Sequence, residues 1–286
     1  MADLLIAGCG YLGLRVAEDW LQRGQTVAAV TRSEERARLF ETIGIEPIVA
    51  DLSQPAIEIS LPQAASILWS VGFERGTGVS REAIWEQGLR QFLNALSRQP
   101  ARFLYVSSSS VYGSGDGQRV SESTAVAPVT EGGSACVVAE QLVNEFFGEV
   151  TTEALILRLA GIYGPNRLLR RIQDLQNEVP LPGDPDSLLN LIHVDDAVRL
   201  VRFMLMHNEI PAVLNGVAPA PASRREYYGT LATLTGSPTP VFDDTQMPRR
   251  GGNREVCSEY YDQLKSFFLF PDHLSGLQDA VARSSL

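Results

Sequence analysis

Short aliphatic and β-branched runs alternate with longer amphipathic stretches through the first 160 residues of the chain. The runs Leu4–Ala7, Thr26–Val30, Glu46–Ala50, Ser66–Ser70, Phe103–Ser107 and Ala154–Leu159 predict strands. Between them, apolar residues recur at helical spacing: Leu12, Val16 and Trp20 in the first stretch, and Val138, Leu142 and Phe146 in a later one. Strand–helix alternation of this kind predicts an α/β fold whose parallel sheet is covered by helices on both faces.

The pattern degrades after Gly164-Pro165, where prolines from Pro180 to Pro248 punctuate shorter elements. Residues 1–165 are therefore expected to form the sheet domain. Residues 166–286 are expected to form mainly a smaller lobe, with a segment at about 190–217 returning to the first domain. Ligands of open α/β sheets bind at the carboxyl ends of the strands, so the lobe is expected to close over that edge.

The chain has 286 residues and 44% hydrophobic content; 24 basic against 34 acidic side chains give a net charge of −10. Such a balance argues against a nucleic-acid partner, which needs a basic face. No apolar run reaches the roughly 18 residues of a membrane span. The apolar start Leu4-Leu5-Ile6-Ala7 lacks a preceding basic stretch and runs straight into glycines, unlike a secretion signal. Cys9, Cys136 and Cys257 are odd in number and scattered, as are His193, His207 and His273, so neither a disulfide framework nor a metal cluster is expected. A reducing, cytoplasmic setting is the matching expectation. Among the basic residues, 23 are arginines and Lys265 is the single lysine.

Gly8-Cys9-Gly10-Tyr11-Leu12-Gly13 fits G-x-G-x-x-G between a strand and a helix. Gly8 permits a tight turn, Gly10 lets a pyrophosphate approach the backbone, and Gly13 allows close helix–strand packing. The following helix N-terminus offers N–H groups to the anion. The second strand ends in Thr31-Arg32-Ser33, where an NAD-preferring site places an acidic residue for the ribose 2′-hydroxyl. A guanidinium flanked by hydroxyls suits a 2′-phosphate, so NADP is expected over NAD. Asp51-Leu52, after the third strand, is placed to meet the adenine, with a solvated turn aspartate as the alternative.

Four segments in order resemble the extended short-chain dehydrogenase/reductase family, also called the NAD-dependent epimerase/dehydratase family. They are the glycine loop, Tyr105-Val106-Ser107-Ser108-Ser109-Ser110-Val111-Tyr112-Gly113, Leu157-Arg158-Leu159-Ala160-Gly161-Ile162-Tyr163-Gly164-Pro165, and Asn190-Leu191-Ile192-His193-Val194-Asp195-Asp196. The resemblance implies a Rossmann-type doubly wound parallel sheet, a C-terminal substrate lobe, a nicotinamide dinucleotide and a small substrate such as a nucleotide sugar. It places the hydroxyl residue that holds the sugar oxygen at Ser108, for which strand-end capping is the structural alternative.

The family's catalytic tyrosine and lysine do not follow. Aligning Ala139-Glu140 with the family's Ala-Glu puts Gly132 at the tyrosine and Cys136 at the lysine, and no tyrosine lies between Tyr112 and Tyr163. Tyr261 and Lys265 have the pair's i, i+4 spacing but belong to the second lobe. They fit an amphipathic helix packing Tyr260, Tyr261, Leu264 and Phe268, with Lys265 solvated. Tyr112, Tyr163 and His193 each fit a structural role better, and Cys136 is either a helix-start thiolate or a small buried residue. Arg167, Arg170, Arg171 and Arg249-Arg250 are candidates for a diphosphate grip or a solvated face. The expected protein is thus an atypical NAD(P)-dependent epimerase/dehydratase-like oxidoreductase. A non-catalytic NADP-binding redox sensor is the alternative, and a homodimer stays open.

Overall fold

The computed structural model describes residues 1–285 except 55, 57, 58, 74, 75, 77, 114, 116, 149 and 247–252. The first strands and helices follow the periodicity: β1 (Ala2–Ala7), α1 (Tyr11–Gln22), β2 (Val27–Thr31), α2 (Glu34–Thr42), β3 (Ile45–Val49) and β4 (Ala64–Trp69). A π-type turn over Ala83–Gly88 leads into α3 (Leu89–Asn94), then β5 (Arg102–Ser108), α4 (Glu131–Phe147), β6 (Glu153–Leu159) and, much later, β7 (Val213–Gly216). These seven strands form one sheet in the order β7-β6-β5-β4-β1-β2-β3. β1 pairs parallel with both β2 and β4, with Ile6 opposite Ala29 on one side and Leu68 on the other. The chain therefore winds outward from β1 to β3 and crosses back to β4. That reversal opens a crevice at the carboxyl ends of β1 and β4, where α/β sheets take their ligands.

Burial on both faces explains the nearly continuous apolar strands: Leu4, Leu5, Ile6 and Ala7 are all buried. α1 buries Leu12, Val16 and Trp20, the face its spacing predicts. In α4 the expected Leu142 is buried and Phe146 packs half-buried against the core, whereas Val138 is exposed. Cys136, Ala139, Glu140, Val143 and Phe147 are buried as well, so the inward face is broader than the predicted stripe and leaves Val138 outside it. Ala139, Leu142 and Val143 all pack into the cluster of Trp69, Phe92, Phe103 and Tyr105.

The chain divides into two compact units. The first comprises residues 1–108, 131–158 and 201–213, and the second comprises 109–130, 159–200 and 214–286. The second unit has its own core of Tyr163, Ile172, Leu175, Tyr227, Leu231 and Leu277. Its strands are two or three residues long, such as Gln118–Val120 paired parallel with Arg254–Val256. Its best-defined helix, Arg224–Thr235, starts with a Ser223–Glu226 capping box and ends on Gly236 in the left-handed region.

Candidate functional site

The turn after β1 is shaped by two glycines that nothing larger can replace. Gly8 has φ +88°, and a Cβ there would lie 2.4 Å from the Val71 backbone nitrogen; at Gly13 a Cβ would lie 2.6 Å from the Gly8 carbonyl oxygen. The same carbonyl accepts the Ser70 hydroxyl at 2.9 Å, tying the turn to the end of β4. Gly10 differs, since a Cβ there meets nothing within 4 Å. Its open side faces away from protein atoms, as a backbone that receives a ligand requires. Gly10 gives α1 no side-chain cap, and the N-terminus of the helix presents its first-turn backbone to this turn, the end that attracts an anion. Leu12 is buried, and the half-buried Tyr11 ring lies under the Arg15 guanidinium at 4.0 Å. A pyrophosphate fits this cradle.

Arg32 is exposed just beyond the end of β2. Four residues on, Arg36 donates through Nη2 to the Cys9 carbonyl at 2.6 Å, placing a second guanidinium on the glycine turn. Sequence reasoning missed Arg36, although its i, i+4 relation to Arg32 was visible. Asp51 stands in a turn in which its Oδ1 accepts from the Ser53 N–H and hydroxyl and its Oδ2 from Gln54. Burial pushes this carboxyl up, but the Gln54 and Ser53 donors and the Arg32 charge together hold it below its usual value. Leu52 beside it is buried in the core of the first unit.

Ser108 ends β5 and is half-buried. Its backbone N–H, with the hydroxyls of Tyr105 and Ser107, faces the sulfur of Cys136 on α4. Burial, reinforced by the Glu140 charge, pushes the Cys136 thiol up to about 11. Cys136 is therefore the small buried residue and not a helix-start thiolate. One helical turn earlier, Gly132 clears a space in front of Arg81: a Cβ at Gly132 would lie 3.5 Å from Arg81 Nε. The Arg81 Nη1 bonds Glu131 at 2.7 Å, and its guanidinium lies 4.2 Å over the Phe73 ring.

Residues 4–215 match the model of the NAD dependent epimerase/dehydratase family. The chain belongs to that family. Protein YeeZ of Escherichia coli (strain K12) is 27% identical over 283 residues, covering 96% of this chain and 98% of YeeZ. Among solved structures, MoeE5 in complex with UDP-glucose and NAD superposes with a TM-score of 0.79 at 22% identity, covering 98% of each chain. UDP-glucuronic acid 4-epimerase from Bacillus cereus, in complex with UDP-glucuronic acid and NAD, gives 0.78 at 17% identity, again over 98% of each chain. At these identities the two structures establish the common fold.

For this family member, α4 contains neither tyrosine nor lysine. Within the second unit, the Tyr112 hydroxyl donates to Asn215 at 2.9 Å, and Tyr163 is buried against His193 and Tyr227. Both tyrosines are packing residues there, and burial raises the Tyr163 phenol well above its usual value. His193 is fully buried; its Nδ1 accepts the Asp195 N–H at 3.3 Å, and its Nε2 lies 3.3 Å from Asp279. These three side chains are close enough to hold a cation, but Arg283 bonds both Asp195 (2.6 Å) and Asp279 (2.9 Å) and supplies the positive charge itself.

The Tyr261–Lys265 spacing forms only a four-residue helix followed by a 3-10 turn. Leu264 is buried, yet Tyr261 is exposed rather than packed, and Lys265 meets solvent and Asp262. Arg167, Arg170 and Arg171 are exposed, the last paired with Asp174. Arg249 and Arg250 lie outside the described residues. Among the described residues, no helix is long and apolar enough to cross a membrane.

Proposed function

We propose that this chain is an atypical epimerase/dehydratase-type oxidoreductase. In this reading it binds a nicotinamide dinucleotide on the first unit and acts on a small substrate such as a nucleotide sugar. It works without the family's tyrosine–lysine pair. The glycine turn carries the reading: Gly8 and Gly13 are closed by neighbouring backbone, while Gly10 is open. Gly8, Gly10, Tyr11, Leu12 and Gly13 would hold the pyrophosphate through backbone N–H groups. When bound, the dinucleotide supplies a hydride donor or acceptor. Asp51 and Leu52 would border the adenine, and Ser108 would donate to or accept from a substrate oxygen at the end of β5.

The preference for NADP over NAD belongs to the same reading. Arg32 and Arg36 stand beside the turn where a 2′-phosphate would lie, and each guanidinium adds a charge-assisted bond that NAD cannot use. Titration of intrinsic fluorescence with NADPH and NADH is the test, with NADPH expected to bind about tenfold tighter. Arg32→Ala should remove most of that difference. Tighter NADH binding refutes the preference, and failure to bind either dinucleotide refutes the whole reading.

A second reading, a non-catalytic dinucleotide sensor, is favoured by one observation: the positions aligned with the family's pair hold Gly132 and a buried, protonated Cys136 thiol. Under it, NADPH binds tightly without turnover across carbonyl and nucleotide-sugar panels, and partner binding changes with the dinucleotide's redox state. Under the enzyme reading, Ser108→Ala impairs turnover and spares dinucleotide affinity.

A further inference from the structure

Arg81 and Gly132 are 51 positions apart in the chain, and the fold brings them together at the start of α4. Gly132 and Cys136 share one helix face, and Cys136 receives the Ser108 backbone N–H. The open side of Gly132 is thus the Ser108 side of α4. What fills the volume in front of it is a guanidinium, with Nε 3.5 Å from where a Cβ would stand. The side chain is held on two sides, by the Phe73 ring at 4.2 Å and by Glu131 at 2.7 Å, and is 19% exposed. Phe73 is itself packed on Trp85, whose indole N–H donates to the Val71 carbonyl at 2.8 Å.

A guanidinium at this place does different chemistry from a phenol. It donates through a planar fork, accepts nothing, and matches a carboxylate in two-point geometry. Its present partner is a weak competitor, because the Glu131 side chain is 78% exposed and an exposed ion pair contributes little. A substrate carboxylate would compete with Glu131 for the same fork.

We infer that Arg81 is a substrate-anchoring residue that binds a carboxylate, so that the substrate of this chain is an anionic sugar of the nucleotide-uronic-acid type and not its neutral counterpart. This rests on the dinucleotide and nucleotide-sugar reading given above and names the substrate class within it. Ser108 and Arg81 then bracket the sugar at the same end of α4, one handling a hydroxyl oxygen and the other the carboxylate.

The test is calorimetric titration of the full chain, saturated with NADPH, with UDP-glucuronic acid and separately with UDP-glucose, a pair differing in the carboxylate. The wild type should bind UDP-glucuronic acid about tenfold tighter or better. Arg81→Gln should bring the ratio near one while leaving NADPH affinity and melting temperature unchanged, and Arg81→Lys should keep part of it. Glu131→Gln, which removes the competing carboxylate, should move affinity the opposite way and tighten UDP-glucuronic acid binding. Equal binding of the two sugars by the wild type, or a preference that survives Arg81→Gln, overturns the assignment and leaves the nucleotide-sugar reading standing. Binding of neither sugar by the NADPH complex overturns both.

Discussion

Arg158 holds Glu140 with two bonds inside the first unit, Nε to Oε1 at 3.0 Å and Nη2 to Oε2 at 2.7 Å. Both side chains are under 10% exposed, at 9% and 7%, and the Ser107 hydroxyl also donates to Glu140. Arg158→Met leaves a buried carboxylate with the hydroxyl as its remaining donor. Loss of one buried partner costs about 3–5 kcal/mol, so the urea midpoint should fall sharply. The double variant Arg158→Met with Glu140→Met removes the stranded charge and should recover part of the loss. Additive effects in the double variant would contradict direct coupling.

Gly10 and Gly13 should separate folding from ligand binding. At Gly13 an added methyl meets the Gly8 carbonyl oxygen at 2.6 Å; at Gly10 it meets no protein atom within 4 Å. Gly13→Ala should therefore lower the melting temperature and weaken NADPH binding together. Gly10→Ala should keep its melting temperature within a degree or so and still lose about tenfold or more in NADPH affinity. Unchanged affinity in Gly10→Ala would remove the glycine turn as the binding site.

Asp196 predicts a pH dependence in the second unit. Burial pushes its carboxyl up to about 6, even though the Leu269 and Phe270 N–H groups donate to it at 2.7 and 3.1 Å and Arg199 adds a favourable charge. The ordinary aspartate value is about 3.9. Between these values the folded chain binds more protons than the unfolded one, so this group's contribution is fully present below about pH 4 and is lost as pH rises through about 6. The loss is on the order of 3 kcal/mol. Denaturation at pH 4.5 and 7 should show the wild type's advantage over Asp196→Asn shrinking at the higher pH. A pH-independent gap contradicts this.

The three cysteines are free and should react in a fixed order. Burial raises the Cys9 thiol to about 12 and the Cys136 thiol to about 11, whereas Cys257 is half-buried with its Sγ toward the Val120 carbonyl. Thiolates, not thiols, react. Native protein at pH 7.5 should label at Cys257 first, with Cys9 and Cys136 released on denaturation. Rapid labelling of Cys136 would contradict its buried setting and reopen a redox role.

The sheet was legible because its strands are buried on both faces and read as unbroken apolar runs, and Gly8 through Gly13 marked the turn that joins β1 to α1. Relationships across the fold left no such trace. Arg36 reaches Cys9 over 27 positions, and Arg81 reaches the start of α4 over 50 to 51, distances at which spacing along the chain carries no signal. Arg254 reads as a surface charge, yet it is buried and donates to the carbonyls of Gly113 and Ser109. The short strands of the second unit are too brief for alternation to show. Val138 on α4 has another cause: it shares the helical spacing of Leu142 and Phe146, but the tertiary partners of Ala139 and Val143 set the inward face beyond it.

Gln118–Val120 pairs with Arg254–Val256, and β6 has β7 as its outer neighbour only after residue 213. The two units are therefore interleaved along the chain rather than consecutive. During synthesis, when domains ordinarily fold as they emerge, neither can close on its own first half. The seven-stranded sheet waits for its last strand, and the second unit waits for a partner strand made more than a hundred residues after its own first one. Nascent chains arrested before residue 254 should expose the edge at Gln118–Val120 to chaperones and proteases.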